Sequence, residues 1–302
     1  MAKIEGPARD FVGYGKNVPS GRWPNGARLA INIVLNYEEG SERSIGLGDP
    51  DQETLTEFGN YPGAGKIRDL ALESMYEYGS RVGVWRVLDA MDKYDIKGTM
   101  FACAVACENN PEVTKAMAAA GHDFCSHGYR WEEVFRNSVE EEKRRIDLAV
   151  ETFKRVCGKR PLGWYCRYGA SIHTRRLVVE EGGFKYDSDS YNDDTPFFVD
   201  VSGKRHLVVP YSPDNNDFKF WNAPGFISAD DFFIYLKDAF DTLYAEGATQ
   251  TRMMSVGLHS RIIGRPGRIA GLERFFAYAK SFDGVWFTQR ENIADAWLKM
   301  HG

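Results

Sequence analysis

The stretch "GHDFCSHGYRWEEV", residues 121 to 134, reads as half of a metal site. His127 closes a short apolar run at the end of an expected strand. A partner four residues on would share its face if the segment were helical. Position 131 is instead Trp131, whose indole offers one ring N–H and no lone pair for a metal.

Other expected strand ends gather the same kind of chemistry. "LNYEEG" supplies Asn36, Tyr37, Glu38 and Glu39, and "SHGYRW" supplies His127, Tyr129, Arg130 and Trp131. "WYCRYG" supplies Tyr165, Arg167 and Tyr168. "SPDNND" supplies Asp214, Asn215, Asn216 and Asp217, and "GLHSR" supplies His259 and Arg261. In barrels and open α/β sheets, sites form beyond the carboxyl ends of the strands. Two imidazoles and a carboxylate pair at one rim suit hydrolysis: the carboxylate deprotonates water, a histidine protonates the leaving nitrogen, and polar donors hold the oxyanion. Adjacent strand residues face opposite ways, so only one of Glu38 and Glu39 is the inward base, and the sequence leaves open which. The plainer alternative is a structural salt bridge from this pair to Arg43, Arg81 or Arg130, with His127 a hydrogen-bonded rim histidine.

These residues need strands to carry them. Strand-like runs occur at 28–36, 97–105, 122–126, 162–166, 184–189, 206–212, 252–260 and 285–288. Helical segments with legible ends lie between them. Asn110-Pro111 opens one, Ser138 with Glu141 opens another that Gly158 closes, and Ser228 with Asp231 opens a third that Gly247 closes. Val82, Trp85, Leu88 and Met91 recur at helical spacing and read as a core stripe. The alternation implies an α/β fold with mostly parallel strands, in a barrel or a doubly wound sheet. No G-x-G-x-x-G follows the first strand, so a dinucleotide site is unsupported. Residues 40–69 form a long irregular insert after the first strand, as a functional loop or an oligomer contact does. With no linker or repeat in view, residues 1–302 read as one domain.

The 302 residues carry a net charge of −5 and a sequence pI near 5.8. No basic stripe appears, which excludes a nucleic-acid partner from the reading. "EEEKRR" (140–145) reads as a solvated helix face. The start has no apolar signal region, no run reaches the roughly 18 residues of a membrane span, and five cysteines form no paired framework. A cytoplasmic location with reduced thiols is the expectation.

Taken together, "LNYEEG", "GHDFCSHGYRW", "GKRPLGWYCRYG" and "VGLHSRIIGRPGRI" resemble the polysaccharide deacetylase superfamily, the NodB-homology fold, from about Phe11 to Trp297. "ESMYEYGSRVGVWR", "LNYEEGSER" and "AGHDFCSHGYRW" are most similar to its metal-independent allantoinase branch, with cyclic imide hydrolases and an atypical peptidoglycan deacetylase as neighbours. The resemblance implies a distorted (β/α) barrel of seven or eight strands and hydrolysis of a C–N bond in a small cyclic amide, allantoin first. It also implies a homotetramer with the insert as a contact surface. N-deacetylation of a sugar or peptidoglycan fragment, and an inactive binding or assembly module, are the alternatives.

In the metal-dependent members an Asp pair and an H-x-x-x-H pair hold the ion. Here they correspond to Glu38-Glu39 and to His127 with Trp131, so the resemblance implies no bound metal or other cofactor. It implies Glu38 or Glu39 as base, His127 orienting water or polarising the carbonyl, and His259 protonating the leaving group. Asn36, Tyr129, Trp131, Tyr165 and Arg167 would bind the ring. Arg261 would steady the oxyanion or serve an interface. "GWYCRYGASIHTRRL" departs from the allantoinase pattern by one extra residue between Trp164 and Thr174. Its spacing is nearer to the imide-hydrolase and deacetylase neighbours, which leaves the ring open.

Overall fold

The computed structural model describes residues 6–59, 61–167 and 169–302; Tyr168 lies outside the described residues. Strands and helices alternate. β1 (Leu29–Tyr37) leads to α1 (Leu70–Tyr78) and α2 (Val84–Lys93), and β2 (Thr99–Ala102) leads to α3 (Ala104–Asn109) and α4 (Pro111–Ala119). β3 (Asp123–Ser126) precedes α5 (Val139–Cys157), and β4 (Gly163–Trp164) precedes α6 (Thr174–Glu181). Then come β5 (Tyr186–Asp187), the hairpin of β6 (Phe197–Val201) and β7 (Lys204–Val208), and α7 (Ala229–Glu246). β8 (Arg252–His259), α8 (Pro266–Lys280), β9 (Val285–Phe287) and α9 (Arg290–His301) complete the order.

The strands form one sheet in the order β6-β7-β5-β4-β3-β2-β1-β8, with β9 also paired to β1. On the same edge of β1, β2 takes Val34 to Tyr37 and β9 takes Leu29 to Ile31. The β6–β7 pairing is antiparallel, and the rest are parallel. The sheet curls into a half-barrel, the distorted and mostly parallel arrangement expected. Each expected strand-like run contains a strand. β6 lies outside those runs, although its Ser202-Gly203 turn, with φ of 54° and 81°, is a hairpin signal.

All nine residues of β1 are buried, as a strand covered on both faces requires. Leu29, Ile31, Ile33, Leu35 and Tyr37 pack toward the helices, while Ala30 and Val34 join Phe101, Tyr165 and Tyr211 inside the curl. The even-numbered positions of β1 therefore face the interior, and that parity aims the two glutamates just past the strand.

The helix ends behave as read. Asn110, Ser138 and Ser228 accept from the backbone N–H of Val113, Glu141 and Asp231. The stripe in α2 does not: Val84, Val87 and Met91 are buried, while Val82 and Trp85 are exposed. A π-helical turn over Gly79–Gly83 widens the helix there and shifts the phase of the buried face. Within 140–145, Arg144 pairs with Glu141 and Lys143 with Asp147 on the solvated face. Glu142 instead turns inward to Ser171 and Thr174. The five cysteines are free thiols. Among the described residues, no helix is long and apolar enough to cross a membrane.

Candidate active site

Just past β1, the parity of the strand sends Glu38 inward and Glu39 to the opposite face. Glu38 is 1% exposed. Its Oε1 lies 3.1 Å from His127 Nε2 and 3.7 Å from His259 Nε2, and its Oε2 accepts from Arg261 Nη2 at 2.7 Å. Burial alone would raise its pKa, but Arg261, His259 and His127 together hold it well below the usual carboxylate range. Glu39 does not line the cavity. Its carboxylate accepts from the Glu38 N–H at 3.0 Å and rests on Gly79, where a Cβ would come within 2.3 Å of Oε1. The alternative arginine partners are engaged elsewhere: Arg43 with Asp51 and Glu133, Arg81 with Glu77, and Arg130 with Asp49.

Proton placement at the histidines is set by their partners. His127 Nδ1 is 2.9 Å from the Tyr165 carbonyl oxygen, which only accepts, so Nδ1 carries a hydrogen. Its Nε2 faces the Glu38 carboxyl, so that contact requires one proton beyond those of a neutral imidazole and a carboxylate. His259 Nδ1 is 2.7 Å from Asp217 Oδ1, and Asp217 Oδ2 accepts from the backbone N–H of His259 and of Ile263. Asp217 thus fixes the His259 tautomer and leaves the Nε2 lone pair toward the cavity.

Asp217, in the "SPDNND" run, is the functional residue to which local spacing assigns no role. It reaches His259 because the chain before it runs parallel to β8, where Gly257 N–H donates to the Asn215 carbonyl at 2.7 Å. Gly257 allows that approach, since a Cβ there would meet Tyr211 Oη at 2.2 Å.

Glu38, His127 and His259 floor a cavity of about 300 Å³. Trp131, Tyr165, Tyr191 and Phe218 supply aromatic walls, and Leu55 closes one side from the insert. Tyr165 stacks on His127 at 5.0 Å and shares a 2.7 Å hydrogen bond with the Tyr191 hydroxyl. Asn36 lines the cavity, and its Nδ2 donates to the Leu258 carbonyl and the Tyr211 hydroxyl, which leaves its oxygen for a substrate. Arg167 also lines it, paired with Glu53 at 2.6 Å and 3.9 Å from the Trp131 ring centre. The insert thus reaches the site through Leu55 in the cavity lining and through Glu53, which holds Arg167.

Two expectations fail. Tyr129 is not part of the cavity lining; it packs on the helical core, with Arg145 over its ring. Arg261 is fully buried beneath Glu38, which removes the interface reading. Tyr191, Tyr211, Asn216, Phe218 and Lys219 line the cavity without having been singled out as binding residues.

The residues do not fit a divalent ion. His127 Nε2 faces Glu38, Trp131 offers no lone pair, and the second Glu38 oxygen is taken by a guanidinium. A dication there would face a buried arginine charge at close range. Among the described residues, no group of three or more His, Cys, Asp or Glu is arranged to hold a metal. Trp131→His is accordingly expected to fold and to retain no stoichiometric zinc after dialysis. One equivalent by elemental analysis would show that Glu38 and His127 can leave their present partners.

Behind the cavity, burial pushes the Glu42 carboxyl up to about 7. A raised carboxyl favours the folded state at low pH and loses that contribution as pH rises from the unfolded value through about 7. Glu42→Gln should therefore match wild type near pH 5 and be more stable near pH 8, by on the order of 2–3 kcal/mol. Denaturant melts at the two pH values measure this; equal differences at both would contradict it.

Residues 68–186 match the polysaccharide deacetylase family. A Schizosaccharomyces pombe protein provisionally named a polysaccharide deacetylase is 40% identical over 313 aligned positions, covering 97% of this chain and 98% of its own. This chain belongs to the polysaccharide deacetylase family. Family members are hydrolases that act on carbon–nitrogen bonds. The structure of PuuE allantoinase shares 50% identity with this family member at a TM-score of 0.93, covering 97% of this chain and 98% of that one. A structure provisionally named a polysaccharide deacetylase, from Pseudomonas aeruginosa PAO1, shares 49% at a TM-score of 0.92, with the same coverage.

Proposed function

We propose that this chain hydrolyses a C–N bond of a small cyclic amide without a bound metal, with allantoin, opened to allantoate, as the first candidate substrate and other hydantoins or cyclic imides next. The observation that carries the reading is the cavity itself. About 300 Å³, it lies at the small end of the roughly 300–1,000 Å³ usual for ligand sites. Its aromatic walls suit a flat ring, and the insert narrows the space that an extended glycan would need. The likeness to the structure named PuuE allantoinase supports the same reading.

In this mechanism a water on the cavity side of Glu38 Oε1 and His259 Nε2, which are 3.7 Å apart, hydrogen-bonds to both. Glu38 orients it, and His259 takes its proton as it attacks the ring carbonyl. His127, whose two ring nitrogens are engaged by the Tyr165 carbonyl and Glu38, lines the cavity beside the attacked carbonyl and supports the developing oxyanion through its charge rather than through a free N–H. His259 then returns the proton to the departing nitrogen, so protons balance over the cycle. Assigning the base to His259 rather than to a glutamate follows from charge. Glu38, held ionised by Arg261, has little affinity for a proton, whereas the Nε2 lone pair is set toward the cavity by Asp217.

A panel of allantoin, hydantoin and succinimide ring opening, run beside acetate release from N-acetylglucosamine oligomers, tests the reading. Ring opening with no acetate is the expected result. Acetate release alone would replace it with N-deacetylation, which the names of two relatives favour.

A further inference from the structure

Arg261 follows β8 two residues after His259 and is entirely buried. Its Nη2 donates to Glu38 at 2.7 Å, and its Nη1 lies 3.5 Å from Glu39 Oε1. The guanidinium carbon stands 4.3 Å from the ring centre of Tyr76, 5.2 Å from Trp131 and 5.5 Å from Trp221. A guanidinium stays charged at any ordinary pH. Burying one is costly, and here two carboxyl groups and three aromatic faces offset the cost.

We propose that Arg261 is the resident cation of this active site: it holds Glu38 anionic and, through Glu38, keeps the extra proton on His127, supplying a built-in positive charge where the residues cannot hold a metal ion. The inference rests on Glu38, His127 and His259 forming the catalytic cluster, and not on which ring they cleave.

The argument is one of proton placement. The His127–Glu38 contact at 3.1 Å admits two arrangements, imidazolium with carboxylate or imidazole with carboxylic acid. A fixed cation 2.7 Å from the other carboxylate oxygen stabilises the first. The remaining neighbours leave that bias in place. Glu38 is faced by His259 from the end of β8, by His127 from the end of β3, and by the Cys103 thiol ahead of α3. Behind Arg261 lie Glu39 and Glu42 from the segment after β1 and the Tyr76 hydroxyl of α1. Burial raises the proton affinity of both rear glutamates, so Glu38 is the carboxyl that Arg261 keeps ionised. Arg261 is thus a positioning residue for charge, acting on the reaction through Glu38 and His127.

The test is histidine-side-chain ¹⁵N NMR on the full chain, with the His127 signals assigned by their loss in His127→Gln. In wild type near pH 7, both His127 nitrogens should be protonated, while His259 shows a protonated Nδ1 and a bare Nε2. A neutral His127 between pH 6 and 8 would overturn the proposal, whatever the substrate proves to be. Arg261→Met should convert His127 to the neutral pattern and lower kcat/KM by about 100-fold. It should also move the acid limb of the pH profile up by about one unit or more, because Glu38 must then lose its proton without a cation beside it. Arg261→Lys should keep the imidazolium pattern and the limb, and recover much of the rate. An imidazolium His127 with an unshifted limb in Arg261→Met would mean a structural role only. If the methionine variant does not fold, the wild-type and lysine spectra decide.

Discussion

His259→Ala is expected to lower kcat by roughly two to four orders of magnitude with little change in KM, since it removes the group that moves the proton in both halves of the reaction. The expectation depends on geometry: His259 Nε2 opens onto the cavity, and its Nδ1 is held at 2.7 Å by an Asp217 that is itself fully buried and anchored by two backbone N–H groups. Steady-state kinetics on the ring-opening substrate reads the result directly. A kcat within a few-fold of wild type would remove His259 from the chemistry. The buried Asp217 keeps its two backbone N–H donors in this variant, so circular dichroism should show a native fold.

Glu38→Gln should have an effect as large on rate and a larger one on stability. It deletes the anion that pairs with Arg261 at 2.7 Å and leaves that guanidinium with Glu39 at 3.5 Å. Breaking a buried pair on one side costs about 3–5 kcal/mol, because an uncompensated charge stays behind. The same change removes the carboxylate that orients water and faces His127, so kcat should fall by about three orders of magnitude. Glu39→Gln is the informative control, since Glu39 lies outside the cavity: its kcat should stay within about ten-fold of wild type. Equal rate losses in the two variants would mean that both carboxyls act as a unit and that their separation by the strand has no catalytic meaning. Because the Glu38 pKa is depressed in the fold, its contribution to stability is present above the usual carboxylate range and is lost as pH falls below it.

Much of this architecture is legible in the chain. The strand-like runs all contain strands, because parallel strands covered on both faces are continuous apolar runs. The caps at Asn110, Ser138 and Ser228 are local hydrogen bonds that three or four residues specify. The choice between Glu38 and Glu39 needed the fold, which shows which parity of β1 faces the interior. In "LAINIVLNYEE" the polar residues Asn32, Asn36 and Glu38 share one parity, and that parity faces the interior.

What escaped depends on contacts far apart in sequence or on local irregularity. Asp217 reaches His259 through a parallel pairing between a loop and β8, which no spacing rule reveals. Arg261 looked like a rim residue because nothing local shows that Tyr76, 185 positions earlier in the numbering, will cover it. Tyr129 shares its parity with His127 and Trp131, which do reach the site, but a tight turn at Gly128, with φ of 89°, redirects the chain and sends its ring to the helical core. The stripe in α2 slipped for a related reason: the π-helical turn ahead of it alters the period on which such readings depend.

The central claim is that a carboxylate and two imidazoles activate water beside a fixed guanidinium and without a bound cation. Its most direct test is elemental analysis of the purified enzyme, together with ring-opening rates before and after exhaustive chelation. Full activity with a metal content far below one equivalent is expected. Loss of activity on chelation, restored by zinc or another divalent ion, would contradict it.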